Sequence, residues 1–428
     1  MWPRQNPHPN RSHVRPNIPR SLLRIHHEPT PPFMPSINPL ELYLELTAIP
    51  GTSGEEHDIA QAIVGHLKNA GLPDEQMRFD DANTRTRRTG NTGNLIVHLP
   101  GKGAMADGPV TLLSAHMDTV PICVGCEPKV DGDYVVSANP ETGLGADDRS
   151  GCTVLLQAAL HLLQTDQDHP PAIFAWLIQE EIGLEGARHI DPSVIGRVDQ
   201  AFNYDGGSID RLTIGAIGGE RIEIEVFGIP AHAGVAPQEG ASAIQIASLA
   251  IAELHQSGWL GQIDKSGEPG GGVGTANVGV IQGGEATNVV TPHVRLKAEA
   301  RSHDAAFRTA IVARMRQAFE SAAASVQTDS GTPGRVQFDS HVDYESFRLP
   351  DDHPSIDVAR RLTQQAGGEG TLYIANGGLD ANWLFQHGIS AITMGCGQMN
   401  IHTANEKLDI KALETACDIA RKIIMGAN

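Results

Sequence analysis

From about residue 37 onward, short runs of β-branched and apolar residues alternate with stretches of helical period, and this alternation limits the fold more than any other feature of the chain. The runs NLIVHLP, VTLLSAHMD, AIFAWLIQE and QAFNYDGG read as strands, with the helical segment SGCTVLLQAALHLLQ between the second and third. Such an order predicts an α/β sheet covered by helices. Between about 213 and 345 the texture changes to strand RIEIEVFGI, helix SAIQIASLAIAEL, strands TANVGVI and HVRLKAEAR, helix AAFRTAIVARMRQAFESAAAS and strand VQFDSHV. That β-α-β-β-α-β order is the split βαβ, ferredoxin-like plan of a small α+β unit. The α/β texture then resumes with TLYIANGGLDANWLFQHG, SAITMGC and the closing helix IKALETACDIARKIIM. The expected domains are therefore 37–212 plus 346–428, interrupted by an insert at 213–345.

Residues 1–36 are rich in Pro, Arg, His and Asn and lack apolar periodicity, so they read as a disordered leader, or as an over-read start with Met34 as first residue. With 428 residues the remainder is long enough for a large buried interior. The 32 basic and 51 acidic residues give a net charge of −19, and no Lys/Arg stripe offsets it, which argues against nucleic acid as a partner. No apolar run approaches the ~20 residues needed to cross a bilayer, so no membrane partner is expected. Five scattered cysteines make no disulfide framework and favour a reducing, cytoplasmic setting. Cys123 and Cys126 form a CxxC pair, but no second pair completes a structural zinc site.

The acidic residues are placed unevenly. Several buried-looking strands end in polar residues: His116 and Asp118 after VTLLSA, Glu180 and Glu181 after IFAWLIQ, and Asp205 after QAFNY. In open α/β sheets the ligand crevice lies outside the carboxyl ends of the strands. Asp147 and Asp148 stand at the start of a helix, and His402 follows another strand and loop. Taken singly these are ordinary residues, since acids in a first helical turn are favoured by the helix dipole and a lone histidine after a strand is a common core residue. As a set they conflict, because clustered carboxylates raise one another's pKa unless a cation is present. A metal pair removes the conflict, and imidazole with carboxylate suits zinc, cobalt or manganese.

The motifs SAHMDTVP, GLGADDRSG, QEEIGLEGA, NYDGG, GIPAHAG, GGEATNVVTP and IHTANE, in this order, resemble those of the M20 co-catalytic zinc peptidases. GGLDAN and NYDGGSIDRL look most like the peptidase T, or tripeptide aminopeptidase, branch. The resemblance covers about residues 37 to 425 and implies a zinc-peptidase-type mixed sheet flanked by helices, with the insert as a lid and dimerisation domain. It further implies two zinc ions per subunit. His116, Asp147 and Asp205 would hold one, Asp147, Glu181 and His402 the other, with Asp147 bridging. Asp118 matches the acid that orients the imidazole of His116.

Successive residues of an extended segment diverge, so Glu181 would reach a metal while Glu180 faces water and substrate as general base. His232, by itself a surface histidine, matches the donor to the developing oxyanion, brought in by closure or by a neighbouring subunit. Asn288 and Arg301 match substrate contacts, Arg301 as a bidentate clamp on a peptide carboxylate. Gly377 and Gly378 of GGLDAN join them as substrate-binding positions. Arg149 stands where the family usually has Lys. The expected activity is metal-dependent exopeptidase cleavage of small peptides, tripeptides first among them. The alternatives are an amidohydrolase or carboxypeptidase acting on N-acyl amino acids or dipeptides, and an inactive metal-bound peptide-binding module. A homodimer through the insert is also implied.

Overall fold

The computed structural model describes residues 38–426, so the expected leader lies outside the described residues. After α1 (Pro39–Thr47) and α2 (His57–Asn69) come strands β1 (Met77–Phe79), β2 (Leu95–Leu99) and β3 (Thr111–His116). A hairpin of β4 (Pro128–Asp131) and β5 (Tyr134–Ser137) precedes α3 (Ala146–Gln164), β6 (Ala172–Leu177), α4 (Glu185–His189), α5 (Pro192–Ile195), β7 (Gln200–Tyr204) and β8 (Arg211–Ala216). The second texture forms β9 (Gly218–Phe227), α6 (Ala243–Gln256), β10 (Gly261–Asp264), β11 (Val273–Gly283), β12 (His293–Ser302), α7 (Ala305–Ser325) and β13 (Arg335–Tyr344). The chain closes with β14 (Phe347–Arg348), α8 (Pro354–Gln365), β15 (Thr371–Ala375), α9 (Asp380–Gln386), β16 (Ala391–Met394), β17 (Gln398–Met399), β18 (Lys407–Asp409) and α10 (Ile410–Ile424).

Three sheets result. The largest runs β1-β2-β6-β3-β7-β16-β8-β14, with β15 also beside β8. It is mixed: β3 is parallel to β6 and β7, and β7 to β16, whereas β2 and β8 bring antiparallel pairings. The sequence of β6, AIFAWL, is buried at every position because both faces of a central strand are covered. Phe174 and Trp176 lie stacked there with no exposed surface, and burying an aromatic ring of this kind stabilises the fold by about 1.5–3 kcal/mol.

The second sheet, β10-β11-β12-β9-β13, is antiparallel throughout. Along β12 buried and solvent-facing residues alternate, as expected of a sheet covered on one face only. Its inner face and helices α6 and α7 share a core of their own around Ile222, Ile224, Leu296, Met315 and Phe319, separate from the core of the large sheet. The β9-α6-β11-β12-α7-β13 succession is the split βαβ order, with β10 as an added edge strand. β8, which begins at Arg211, belongs to the large sheet, so the second sheet starts at Gly218. The third sheet, β17-β18-β5-β4, is small and has no counterpart among the expected elements. It joins the β4–β5 hairpin to the β17–β18 hairpin through β5 and β18.

Candidate metal centre

β3, β6 and β7 run parallel and end together, and the residues at their carboxyl ends meet with the first turn of α3 and with the loop between β17 and β18. Asp147 is the junction. Its Oδ1 lies 3.0 Å from His116 Nε2, and its Oδ2 lies 3.2 Å from His402 Nε2. Asp205 Oδ1 stands 3.8 Å from the same nitrogen of His116, and Glu181 Oε1 stands 3.0 Å from His402 Nε2. Two donor sets therefore share one carboxylate: His116, Asp147 and Asp205 on one side, and Asp147, Glu181 and His402 on the other. Ligand atoms of the latter three all lie within 4.8 Å of one another, as do those of His116, Glu180 and Glu181 and of His116, Asp148 and Asp205.

Asp148 is close enough to serve, but its carboxylate is already engaged. Oδ1 accepts from Gly151 N at 2.9 Å and from Gln398 Nε2 at 2.9 Å, and Oδ2 accepts from His116 N at 3.2 Å. It braces the strand end from behind, while Asp147 faces the cleft. The opposite facing follows from the backbone: Gly145 enters α3 at φ 81°, and Asp147 and Asp148 both depart from helical angles.

His116 Nδ1 lies 3.0 Å from the carbonyl oxygen of Asp118 and 3.4 Å from its Oδ1. The Asp118 carboxylate also accepts from the backbone N–H groups of Glu180 and Glu181, at 2.9 and 3.2 Å, and from Ser53 Oγ at 2.6 Å. One buried acid thus sets both the first imidazole and the turn carrying the paired glutamates. That turn differs from expectation. Glu180–Ile182 is a single 3-10 turn entered through Gln179 at φ 52°, not an extended segment. Consecutive side chains on such a turn diverge by about 120°, which is what separates Glu180 from Glu181.

The electrostatics are those of anions awaiting cations. Burial, and then Asp147, push the Asp205 carboxyl up to about 6, and burial pushes Glu181 up to about 7 against its hydrogen bond to His402. Burial likewise holds Glu180 well above the usual carboxylate range, with Asp205 and Glu181 adding to it against His116. Hydrogen bonds to Asp147 and Glu181 raise His402 to about 10. Burial works against the charge on His116, but Asp118, Asp147 and Asp205 outweigh it and raise this imidazole too. Protons here stand in for positive charge. A divalent cation meeting two imidazoles and three carboxylates fits the donors, supplies that charge and lets the carboxylates ionise.

Sequence reasoning assigned no role to Glu406, Glu56 and Asp380. Glu406 is buried, and its Oε2 accepts from Leu144 N at 2.9 Å and Gly145 N at 2.8 Å while Oε1 accepts from Asp147 N at 3.1 Å. Its only signal is its position four residues after His402 in IHTANE. Glu56 similarly accepts from Gly54 N and Gln179 N, at 2.8 and 3.0 Å, tying the first loop to the glutamate turn. Asp380 is buried at the start of α9 with neither carboxylate oxygen hydrogen-bonded, and burial raises its pKa well above the usual range. Arg149 is buried and donates to the carbonyls of Met117 and Ile49, holding two loops behind the centre.

The cleft measures about 690 Å³ and is lined by Asp147, Glu180, Glu181, Asp205 and His402, with Arg211, Arg221, Arg301, Tyr344 and Tyr373 further along. Gly377 and Gly378 lie in its wall. Arg301 lines it too, with one edge of its guanidinium donating to Glu299 through two 3.0 Å hydrogen bonds. His232 and Asn288 do not line the cleft. They sit together beside the second sheet, where Ala233 N donates to Asn288 O at 2.9 Å and His232 Nδ1 accepts from Gly234 and Val235 N. Both are exposed. Among the described residues no helix is long and apolar enough to cross a membrane.

The model of peptidase family M20/M25/M40 matches residues 112–426. The uncharacterised protein YqjE of Bacillus subtilis is 33% identical over 389 residues, spanning 91% of this chain and 98% of that protein. A tripeptidase from Staphylococcus aureus superposes with a TM-score of 0.80 at 29% identity, covering 92% of this chain and 98% of its own. Aminopeptidase PepT from Bacillus cereus gives 0.77 at 30% identity, covering 92% and 99%. The chain belongs to the M20/M25/M40 peptidase family and is a hydrolase of peptide bonds.

Proposed function

We propose that this chain removes the N-terminal residue from tripeptides and similarly short peptides, with two divalent ions, zinc by preference, held by the two donor sets. The observation that carries the reading is the shared Asp147 carboxylate, 3.0 and 3.2 Å from the two imidazoles. The resemblance to a tripeptidase and to PepT supports the choice of substrate.

His116, Asp147 and Asp205 would hold one ion, and Asp147, Glu181 and His402 the other. When bound, such a pair supplies Lewis acidity, drawing the pKa of water from about 15.7 towards 7 and polarising a carbonyl. Glu180 takes the proton of the attacking water and returns it to the departing amine, a role favoured by its place on the cleft side of the glutamate turn. Asp118 fixes the imidazole of His116 and the backbone of Glu180 in one register. His232 and Asn288 stand beside the second sheet and would reach the reacting carbonyl by closure of that unit or from a second subunit, which would make the unit from Gly218 to Tyr344 a lid and dimerisation domain.

Side-by-side assays of a tripeptide, a dipeptide and an N-acetyl amino acid test the reading. The tripeptide is expected to turn over fastest. Chelation should abolish activity, and added zinc or cobalt should restore it. Turnover of the N-acetyl amino acid alone would move the assignment to a deacylase, and activity persisting in excess chelator would remove the metals from the mechanism.

A further inference from the structure

The chain passes between the large sheet and the second sheet twice, from β8 to β9 at Ile217 and from β13 to β14 at Glu345 and Ser346. The two passages run side by side, since Ala216 pairs with Phe347 on the large-sheet side and Gly219 with Tyr344 on the other. Adjacent passages of this kind define one axis about which the two units can turn, a hinge being a few element-terminal residues that absorb the change.

Asn382 closes the GGLDAN segment and is fully buried against this root. Its Nδ2 donates to Ile217 O at 3.1 Å and to Glu345 O at 2.7 Å, one carbonyl from each passage. Its Oδ1 accepts from Leu379 N at 2.9 Å. An asparagine amide offers two N–H donors and one carbonyl acceptor, so all of its groups are engaged. One side chain thereby joins both passages to the cleft wall, which Gly377, Gly378 and Leu379 line. The wall meets the root again through Tyr344, which also lines the cleft. A methyl group at Gly378 would lie 2.6 Å from Tyr344 Cζ and one at Gly219 2.9 Å, so the ring is seated against two glycines. Two further links between the units, Arg87 with Asp343 and His303 with Asn376, fall at the same root. Asp343 directly precedes Tyr344, and His303 follows Ser302, the partner of Gly218.

The root acts through leverage. The ten residues of β9 leave it at Gly218 and span about 30 Å at ~3.4 Å per residue, and His232 lies just past their far end. A turn of about 10° at the foot displaces that end by about 5 Å, more than the length of a hydrogen bond.

We propose that Asn382 is a positioning residue that clasps both passages to the cleft wall and so fixes the angle at which the second-sheet unit presents His232. The inference rests on the peptidase reading above and deepens it.

The test compares tripeptide turnover by the wild type, Asn382→Ala, His232→Ala and the double variant. N382A is expected to keep its metal content and lose roughly 10–100-fold in kcat, the scale of a ~1 Å misplacement caused far from the chemistry. In the H232A background the same substitution should cost no more than about 3-fold, because residues that act as one unit are not additive. Equal losses in both backgrounds would give Asn382 a general structural role and overturn the proposal. Should N382A fail to fold, Asn382→Asp keeps the volume and the acceptor for Leu379 N while giving up the paired donors, and takes its place. A second measurement needs no turnover: pulsed electron-spin distances between labels on Glu75→Cys and Val235→Cys, exposed positions on the two units, in a Cys126→Ser background. The distribution is expected to be narrow with Asn382 in place and to broaden or shift by about 5 Å without it. An unchanged distribution overturns the proposal. Distances that change as expected, in an enzyme whose H232A variant keeps full activity, would count against the part given to His232 and not against the clasp.

Discussion

Glu180 and Glu181 are neighbours with different surroundings, and that difference is testable one residue at a time. Glu181 faces His402 at 3.0 Å, whereas Glu180 comes within 4.8 Å of His116 and its backbone N–H is held by Asp118. Glu180→Ala is therefore expected to keep its metal content, by elemental analysis, yet lose about 10²–10⁴-fold in kcat, the usual contribution of a positioned proton carrier. Near-normal turnover would remove Glu180 from the mechanism. Glu406→Ala should act differently. It leaves the N–H groups of Leu144, Gly145 and Asp147 without their buried acceptor, at a cost on the order of 1–3 kcal/mol for each donor left unsatisfied. A lower melting temperature together with weaker zinc binding is expected, and an unchanged affinity would show that Asp147 needs no such support. The residues brought to the cleft were legible in sequence because each ends a strand, starts a helix or stands in a motif. Glu406 was not, because its role is defined by backbone groups some 260 positions earlier in the chain.

At the level of elements, strands and helices with a strong period were read correctly. The uninterrupted apolar run of β6 and the alternation of β12 are opposite patterns, and each was enough to identify a strand. The third sheet left no such trace, since its strands are two to four residues long and carry no detectable period. The glutamate turn was misread as extended because a positive φ at Gln179 has no marker in a residue other than Gly or Asn. The fit of α3 against β7 was also hidden, although Gly151 hints at it. A methyl group there would lie 2.0 Å from Tyr204 O and 2.5 Å from Asp148 Oδ2. Gly151→Ala should push the helix away from the strand and shift Asp147 with it. A loss of about 1–3 kcal/mol or more in denaturant unfolding is expected, with weakened metal uptake. Wild-type stability in this variant would mean that the contact relaxes freely.

For the whole molecule, pH and metal are linked. In chelated protein the imidazole of His402, raised from 6.5 to about 10, contributes stability that is complete below about 6.5 and lost as pH rises through 10. Asp205 and Glu181, raised to about 6 and 7, act in the same direction at lower pH, because their folded forms hold protons that the unfolded chain releases. The melting temperature of the metal-free protein should thus fall as pH rises from about 5 to 10, and zinc should flatten the curve. Zinc uptake at neutral pH should release protons, measurable by calorimetry in buffers of different ionisation enthalpy. A melting temperature independent of pH in the chelated protein would contradict these shifts.

The small four-stranded sheet adds an asymmetry. His116 ends a buried strand, but His402, nearly half exposed, rides on the β17–β18 loop, which is tied to the rest by the β5–β18 pairing and by Glu406 on the backbone of Leu144, Gly145 and Asp147. One imidazole is built into the floor, and the other comes from an exposed loop. Filling should accordingly be stepwise, with a tight first equivalent and a looser second, and the looser one should go first when chelator is scarce.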